Sequence, residues 1–132
     1  MNAEKRRWPP VFQYRFRAGP YVPPKVNVGA KLEDEHLGEV TVDGFTKAPI
    51  SWPGTEFHRG RHKGLLPVLT GALVRAVCEE DELTVAHYWG VTRYMVNEWK
   101  QAIAGVTDSN QVIIALAMKK QDPAFRRRFG FE

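Results

Sequence analysis

Side chains that can read the edges of nucleic-acid bases recur between residues 92 and 101, on one side of an expected helix. Arg93 can donate two hydrogen bonds to a guanine, and Asn97, one helical turn later, can bond an adenine in two places. Tyr94 and Lys100 can add contacts to phosphate groups. The full set that we expect to contact double-stranded DNA from this helix is Thr92, Arg93, Tyr94, Asn97, Lys100 and Gln101.

A second basic group lies upstream, in the segment FHRGRHKG over residues 57–64. Two glycines interrupt this segment, which favours a loop over a helix. A basic loop can position a protein on the phosphate backbone without reading the base sequence. The phosphate contacts that we expect from it are Arg59, Arg61 and Lys63.

Catalysis and metal binding find little support in the chain. His58 and His62 have the i,i+4 spacing of two helical metal ligands, but the glycines argue against a helix and no third ligand is nearby. The sequence contains no phosphate-cradling glycine loop, nucleophile elbow, zinc-protease helix or paired-carboxylate signature. We therefore expect a protein that is not an enzyme and that holds neither a metal nor a cofactor.

Two helices joined by a tight turn would position the first set of side chains. Residues 82–101 fit the helix-turn-helix pattern without a gap. Ala86 lies where two crossing helices come closest, and Gly90 lies at the turn, where a left-handed backbone is cheap only for glycine. Helices are expected at about 71–80, 82–89 and 93–104. Their expected N-caps are Thr70, Asp81 and Thr92.

This arrangement resembles the DNA-binding helix-turn-helix family. Residues 25–106 are also similar to an uncharacterised group of bacterial helix-turn-helix proteins, in which a segment like residues 48–53 (APISWP) precedes one like residues 85–91 (VAHYWGV). The resemblance implies that the second helix enters the major groove while the first crosses the backbone. That group comes without a known ligand or activity.

The rest of the chain predicts an α+β protein with a small N-terminal β unit. Alternating valines, at 26 and 28 and again at 40 and 42, predict strands, and Asp43 with Gly44 predicts a turn. Trp52, between two prolines, is expected to pin its segment to a core. The expected organisation is a basic and aromatic arm over 1–24, the β unit over 25–66, the helix-turn-helix domain over 67–106 and a helical basic tail over 107–132.

Both ends of the chain could approach nucleic acid or protein. Aromatic and basic residues alternate over 12–17, which allows a short strand within the arm. In the tail, Asp122 and Pro123 predict the start of a last helix. This helix carries Phe125 and Phe129 four residues apart and could dock through them, presenting its arginines to phosphate or mediating assembly.

Charge placement agrees with a phosphate-facing surface more than the total charge does. The net charge is +4, and residues 59–75 carry four basic side chains and no acidic one, whereas residues 18–57 are acidic. The single cysteine, Cys78, is expected to be a buried, inert thiol. No stretch suggests a signal peptide or a membrane span, so we expect a cytosolic location and no membrane partner.

The function that these patterns favour is double-stranded DNA binding, by a regulator or by an accessory factor of a mobile element or defence system. One helix-turn-helix reads only a few base pairs, so useful specificity requires a homodimer or a larger nucleoprotein assembly. Two alternatives remain open at this point. The chain could be a non-catalytic structural subunit of a larger assembly, or it could bind RNA through its aromatic and basic arm.

Overall fold

The computed structural model describes residues 14–131, apart from the side chain of Arg59. Within this range the fold is α+β, with five helices and two small antiparallel sheets. The strands lie in the middle of the chain and not at its N-terminal end. They are β1 Lys31–Asp34, β2 Gly38–Thr41, β3 Gly44–Phe45, β4 Pro53–Arg59 and β5 His62–Pro67. The helices follow as α1 Ala72–Glu79, α2 Glu82–Trp89, α3 Arg93–Ala104, α4 Ser109–Lys119 and α5 Pro123–Phe129.

The prediction of a loop over residues 57–64 is wrong, because this segment is the end of the β4–β5 hairpin. The two strands pair in antiparallel register from Gly54 opposite Pro67 to Arg59 opposite His62. The glycines that suggested a loop serve the hairpin itself. Gly60 takes a φ of 60° at the turn, and Gly64 leaves room for the ring of Phe57, which a Cβ would approach to 3.2 Å.

Three other local predictions in the first half are also wrong. Residues 14–17 form no strand, and residues 12 and 13 lie outside the described residues. Residues 26 and 28 precede β1 and belong to no strand. The expected turn at Asp43 is absent because Gly44 opens β3 and pairs with Gly54, while the Asp43 carboxylate accepts a hydrogen bond from the Glu56 amide at 2.7 Å.

The first three helices agree with their predicted bounds within one residue. Thr92 caps α3 as expected, accepting a hydrogen bond from the Met95 amide at 3.1 Å. Thr70 is not the cap of α1, because Gly71 holds that position with a φ of 55° and no side chain to offer. Asp81 occupies the N-cap position of α2 but makes no capping bond; its carboxylate pairs with Arg17 at 3.0 Å instead.

The core lies between the helices and the end of the second sheet. Trp52, Trp89 and Trp99 are fully buried in it. Trp52 is pinned as predicted, because its indole Nε1 donates to the Val68 carbonyl at 2.9 Å and its ring centre lies 5.6 Å from that of Trp89. Helix α3 packs against α1, α2 and α4, so the core holds it from three sides.

The described part of the predicted arm lies against the helices. The ring of Phe16 packs 4.4 Å from that of Tyr88, and the buried carboxylate of Glu80 accepts hydrogen bonds from the amides of Arg17 and Ala18, each at 2.8 Å. The Tyr21 hydroxyl donates to the same carboxylate at 2.6 Å. Burial and the bond to Glu80 raise the pKa of Tyr21 above its usual range. Residues 1–13 lie outside the described residues, so the arm that we expect there stays a prediction.

The C-terminal helices differ in how firmly they are held. Asp122 caps α5 with Pro123 in its first turn, as predicted. Phe129 is buried, with its ring centre 4.8 Å from that of Phe125, and so α5 docks through its phenylalanines. In α4 the only buried residue is Val112. None of the helices between residues 14 and 131 is long and apolar enough to cross a bilayer.

Candidate nucleic-acid interface

The turn between α2 and α3 depends on Gly90 for two reasons. Gly90 ends α2 in the left-handed region, with a φ of 70°, and its amide donates to the Ala86 carbonyl. A Cβ at this position would also come within 2.9 Å of the Ala48 side chain. A side chain here would therefore strain the backbone and collide with the neighbouring segment.

Residues 48–53 and the end of α2 meet at this turn. The Ile50 amide donates to the Tyr88 carbonyl at 2.9 Å, Ala48 faces Gly90 and the rings of Trp52 and Trp89 pack edge to face. Residues 48–53 thus brace the C-terminal end of α2 and fix where α3 begins.

We call the side of α3 opposite the core the outer face of α3. The buried side carries Val96, Trp99 and Ile103. At 100° per residue, the predicted DNA-facing side chains within the helix, from Arg93 to Gln101, lie outside this buried side in an arc of about 120°. Among them Arg93, Tyr94 and Asn97 are exposed, Tyr94 by 67%. The outer face of α3 consists of Arg93, Tyr94, Asn97, Glu98, Lys100 and Gln101.

One border of this face is a polar cleft of about 760 Å³, the N-terminal cleft, which separates α3 from residues 14–17. Arg93 and Lys100 line it from α3, and Arg15 and Arg17 line it from the N-terminal segment. The N-terminal segment therefore brings basic side chains to the same groove as α3. The sequence showed these arginines but not where they lie, because the contact spans more than 60 residues.

Acidic side chains of α2 and its cap balance part of this charge. The Arg93 guanidinium donates to the Glu82 carboxylate, with Nε 2.9 Å from Oε2, and Arg17 pairs with Asp81. Both arginines are more than 60% exposed, so the pairs are surface ion pairs that water screens. Arg93 is thus held beside the start of α3 by a weak interaction.

The other border is an apolar cleft of about 340 Å³, the hairpin cleft, between the β4–β5 hairpin and the start of α3. Phe57, His58 and Leu65 line it from the hairpin, facing Tyr94 and Met95 from α3. The β4–β5 hairpin, which carries Arg61 and Lys63, therefore lies directly beside the predicted DNA contacts at the start of α3. Sequence reasoning missed Phe57 and His58 because it assigned their segment to a loop.

The tip of this hairpin presents positive side chains to solvent. Arg61 and Lys63 are exposed, and Lys63 lies 3.5 Å from the Glu56 carboxylate in a surface ion pair. His58 pairs across the strands with Lys63, and His62 pairs with Arg59. Because cross-strand partners share a face and successive residues alternate, the two histidines point to opposite faces. The described residues contain no group of three metal-ligating side chains.

Gln101 is set apart from the other predicted contacts. It is half-buried, and its side-chain amide donates to the Thr107 carbonyl at 3.4 Å. It lines a third, smaller cleft together with His36 and Glu98, at the far end of α3. The start of α3, where Thr92, Arg93 and Tyr94 lie, is thus the end that both larger clefts border.

The lone cysteine is half-buried beneath α3 and α4. Burial raises the pKa of Cys78 to about 12, and the nearby Lys120 and Lys100 oppose this only in part. A thiol with so high a pKa carries almost no thiolate at neutral pH.

The chain matches no protein-family model, and comparisons with curated proteins and with solved structures find no significant match. The function of this surface must therefore follow from its own side chains and their arrangement.

Proposed function

We propose that α1, α2 and α3 form a helix-turn-helix that binds double-stranded DNA, as a regulator or as an accessory factor of a mobile element or defence system. One observation carries the proposal. The outer face of α3 is polar, with Glu98 as its one acidic side chain, and a basic β-hairpin borders its first turn. A helix beside a two-stranded ribbon, both lined with hydrogen-bond donors, suits a duplex and its phosphates.

In this arrangement the first turns of α3 enter the major groove. Asn97 bonds an adenine edge, Arg93 bonds a guanine edge and Tyr94 contacts a phosphate or a thymine methyl group. The N-terminus of the helix adds the positive end of its dipole. Arg61 and Lys63 then reach the phosphates beside the groove from the hairpin.

Arg93 must leave Glu82 to reach a base. Exposed ion pairs of this kind contribute about 0–1 kcal/mol, whereas a bidentate contact to guanine contributes ~1–3 kcal/mol of discrimination. The exchange is therefore favourable on the correct site. On random DNA the gain is smaller, so Glu82 acts against nonspecific binding by Arg93.

The salt dependence of binding to a random duplex tests the proposal. We expect the affinity, measured by fluorescence anisotropy, to fall steeply between ~50 and ~200 mM salt, because each neutralised phosphate adds ~0.9 to the slope of log K against log salt. The double variant Arg61→Glu/Lys63→Glu should bind at least ~10-fold more weakly and with a shallower slope.

A matched control carries the same change of charge elsewhere. Lys25→Glu/Lys31→Glu alters two exposed lysines in and before β1, outside the sheet that contains the hairpin. It should weaken binding much less than the hairpin variant. If the wild-type protein binds no duplex at any salt, the proposal is wrong and a structural subunit of a larger assembly becomes the better interpretation. Preference for single-stranded RNA would contradict it as well.

A further inference from the structure

A second outward-facing helix surface has a chemistry opposite to that of α3. The residues of α4 and its following turn that point away from the core are uncharged as far as Gln121, and the exposed Asp122 borders their far end. Ile113 is 71% exposed, Ile114 57% and Met118 68%. Exposed apolar side chains are common singly, but a contiguous group of them marks an interaction site. The outer face of α4 consists of Asn110, Ile113, Ile114, Ala117, Met118 and Gln121.

The residue types and the spacing on this face are nearly the same when they are read from either end of the helix. Apart from the exposed Gln111 at one edge, its positions are separated by three, one, three, one and three residues, which is the same spacing in either direction. The chemistry is symmetric too, with an amide at each end and four apolar side chains between them. When two such helices lie antiparallel, Ile113 faces Met118 of the second copy and Ile114 faces its Ala117. Each Asn110 then meets a Gln121, and the small Ala117 lets the helices approach.

Charges around the face favour the antiparallel arrangement. The two lysines at the end of α4 stay off the face, since Lys120, its C-cap, lies 3.8 Å from Glu79 and Lys119 lies over the ring of Phe125. The first end of the helix carries Asp108 as its cap, and the last end carries Lys119 and Lys120, whose positive charge Asp122 offsets only in part. Antiparallel packing brings the acidic end of one helix beside the basic end of the other and aligns the two helix dipoles favourably.

We propose that the outer face of α4 binds a second copy of this chain, in an antiparallel helix pair about a two-fold axis. Each copy contributes the same patch, as a closed homodimer requires. One helix face buries less than the ~1,000 Å² typical of a stable interface, so the dimer is weak, with a Kd in the micromolar range. The pairing does not depend on DNA binding, but it joins two copies of α3 in one particle.

Sedimentation equilibrium of the full chain tests this pairing. We expect the wild-type protein to pass from monomer to dimer across the micromolar range. Ile113→Glu should raise the Kd at least ~10-fold, because two carboxylates are then buried in an apolar contact. Val28→Glu is the matched control. Val28 is 62% exposed but precedes β1, so this change should leave the Kd as it is.

The register has its own test. In the antiparallel pair, residue 113 of one copy faces residue 118 of the other. Ile113→Glu and Met118→Lys should each weaken the dimer, and the double variant Ile113→Glu/Met118→Lys should regain most of the loss through two ion pairs across the axis. A parallel pair would set like charges opposite each other and would lose further affinity.

Three results would overturn the proposal. A wild-type protein that remains monomeric up to ~1 mM has no such interface. If Ile113→Glu also lowers the melting temperature of that monomer, another part of the same chain covers the face. A dimer that Ile113→Glu and Val28→Glu affect equally forms elsewhere.

Discussion

Helices α3 and α4 follow each other in the chain, have 12 and 11 residues and begin at a side-chain cap. They differ in the side chains that they bury in the core and in those that they expose to solvent. Helix α3 inserts Val96, Trp99 and Ile103 into the core, whereas in α4 only Val112 is buried and Leu116 packs against the core while half-buried. The outer face of α3 is polar, with no apolar side chain apart from the Tyr94 ring, and that of α4 is apolar and uncharged.

Helix geometry sets only where the side chains of α3 and α4 point, while their chemistry selects the partner. A polar outward face keeps its hydrogen-bonding groups in water until a partner with matching groups replaces that water. An apolar outward face gains by leaving water altogether. We therefore expect substitutions on α3 to separate folding from DNA binding, and substitutions on α4 to separate folding from self-association.

The largest expected effect concerns the buried sides of the two helices. Trp99→Ala should lower the free energy of unfolding by ~3–5 kcal/mol, because it removes a fully buried ring and leaves a cavity. Val112→Ala should cost less, about 1–2 kcal/mol, since it removes a smaller side chain. Urea denaturation of both variants measures this. Equal losses would show that α4 is held as firmly as α3.

A smaller effect is expected from the two glycines that bracket α3. Both Gly90 and Gly105 have left-handed backbones, with φ of 70° and 77°. Gly105→Ala should cost about 1–2 kcal/mol, the penalty of that conformation alone, since a Cβ there meets nothing within 4 Å. Gly90→Ala should cost more, because its Cβ also strikes Ala48. If both variants unfold at the same urea concentration, residues 48–53 do not brace the turn.

The next effect concerns what the outer face of α3 reads. Arg93→Ala should weaken binding to a selected DNA site by ~1–3 kcal/mol and leave the urea midpoint almost unchanged, because its ion pair with Glu82 is exposed. Glu82→Gln should increase binding to random DNA by releasing Arg93. Equal losses of Arg93→Ala on the selected and the random duplex would show that this side chain contacts only phosphate.

The sequence predicted the helical half of the fold well because its signals are local. The cap at Thr92, the left-handed Gly90 and the helical period of the apolar residues all act within a few residues. The α+β class followed as well. Of the candidate contacts, the set on α3 was predicted to share a face, and the helix places it on one.

The hairpin and the N-terminal segment could not be predicted in the same way. Residues 53–59 pair with residues 62–67, but the glycines in this segment are equally compatible with a loop. The buried carboxylate of Glu80 accepts hydrogen bonds from amides more than 60 residues away. Such contacts depend on the whole fold, which no local pattern encodes. The sequence therefore supplied the basic residues at both borders of α3 but not their convergence.

The smallest effect we predict concerns Cys78, whose pKa is lowered in part by the charges of Lys100 in α3 and of Lys120 just after α4. Burial raises the pKa of its thiol from 9.0 to about 12, so above pH 9 the unfolded chain releases a proton that the folded chain keeps. Stability is therefore complete below pH 9 and falls toward pH 12, by at most ~1.4 kcal/mol per pH unit for this one proton. Between pH 8 and pH 10 we expect a loss of roughly 1 kcal/mol.

Cys78→Ala isolates this contribution. The variant is less stable at pH 8 because it lacks the buried sulfur, but its urea midpoint should fall less between pH 8 and pH 10 than that of the wild type. Tyr21, whose pKa burial also raises, affects both proteins alike and acts mainly above pH 10. Identical pH dependences would mean that water reaches the thiol and that α3 and α4 do not seal the space above α1.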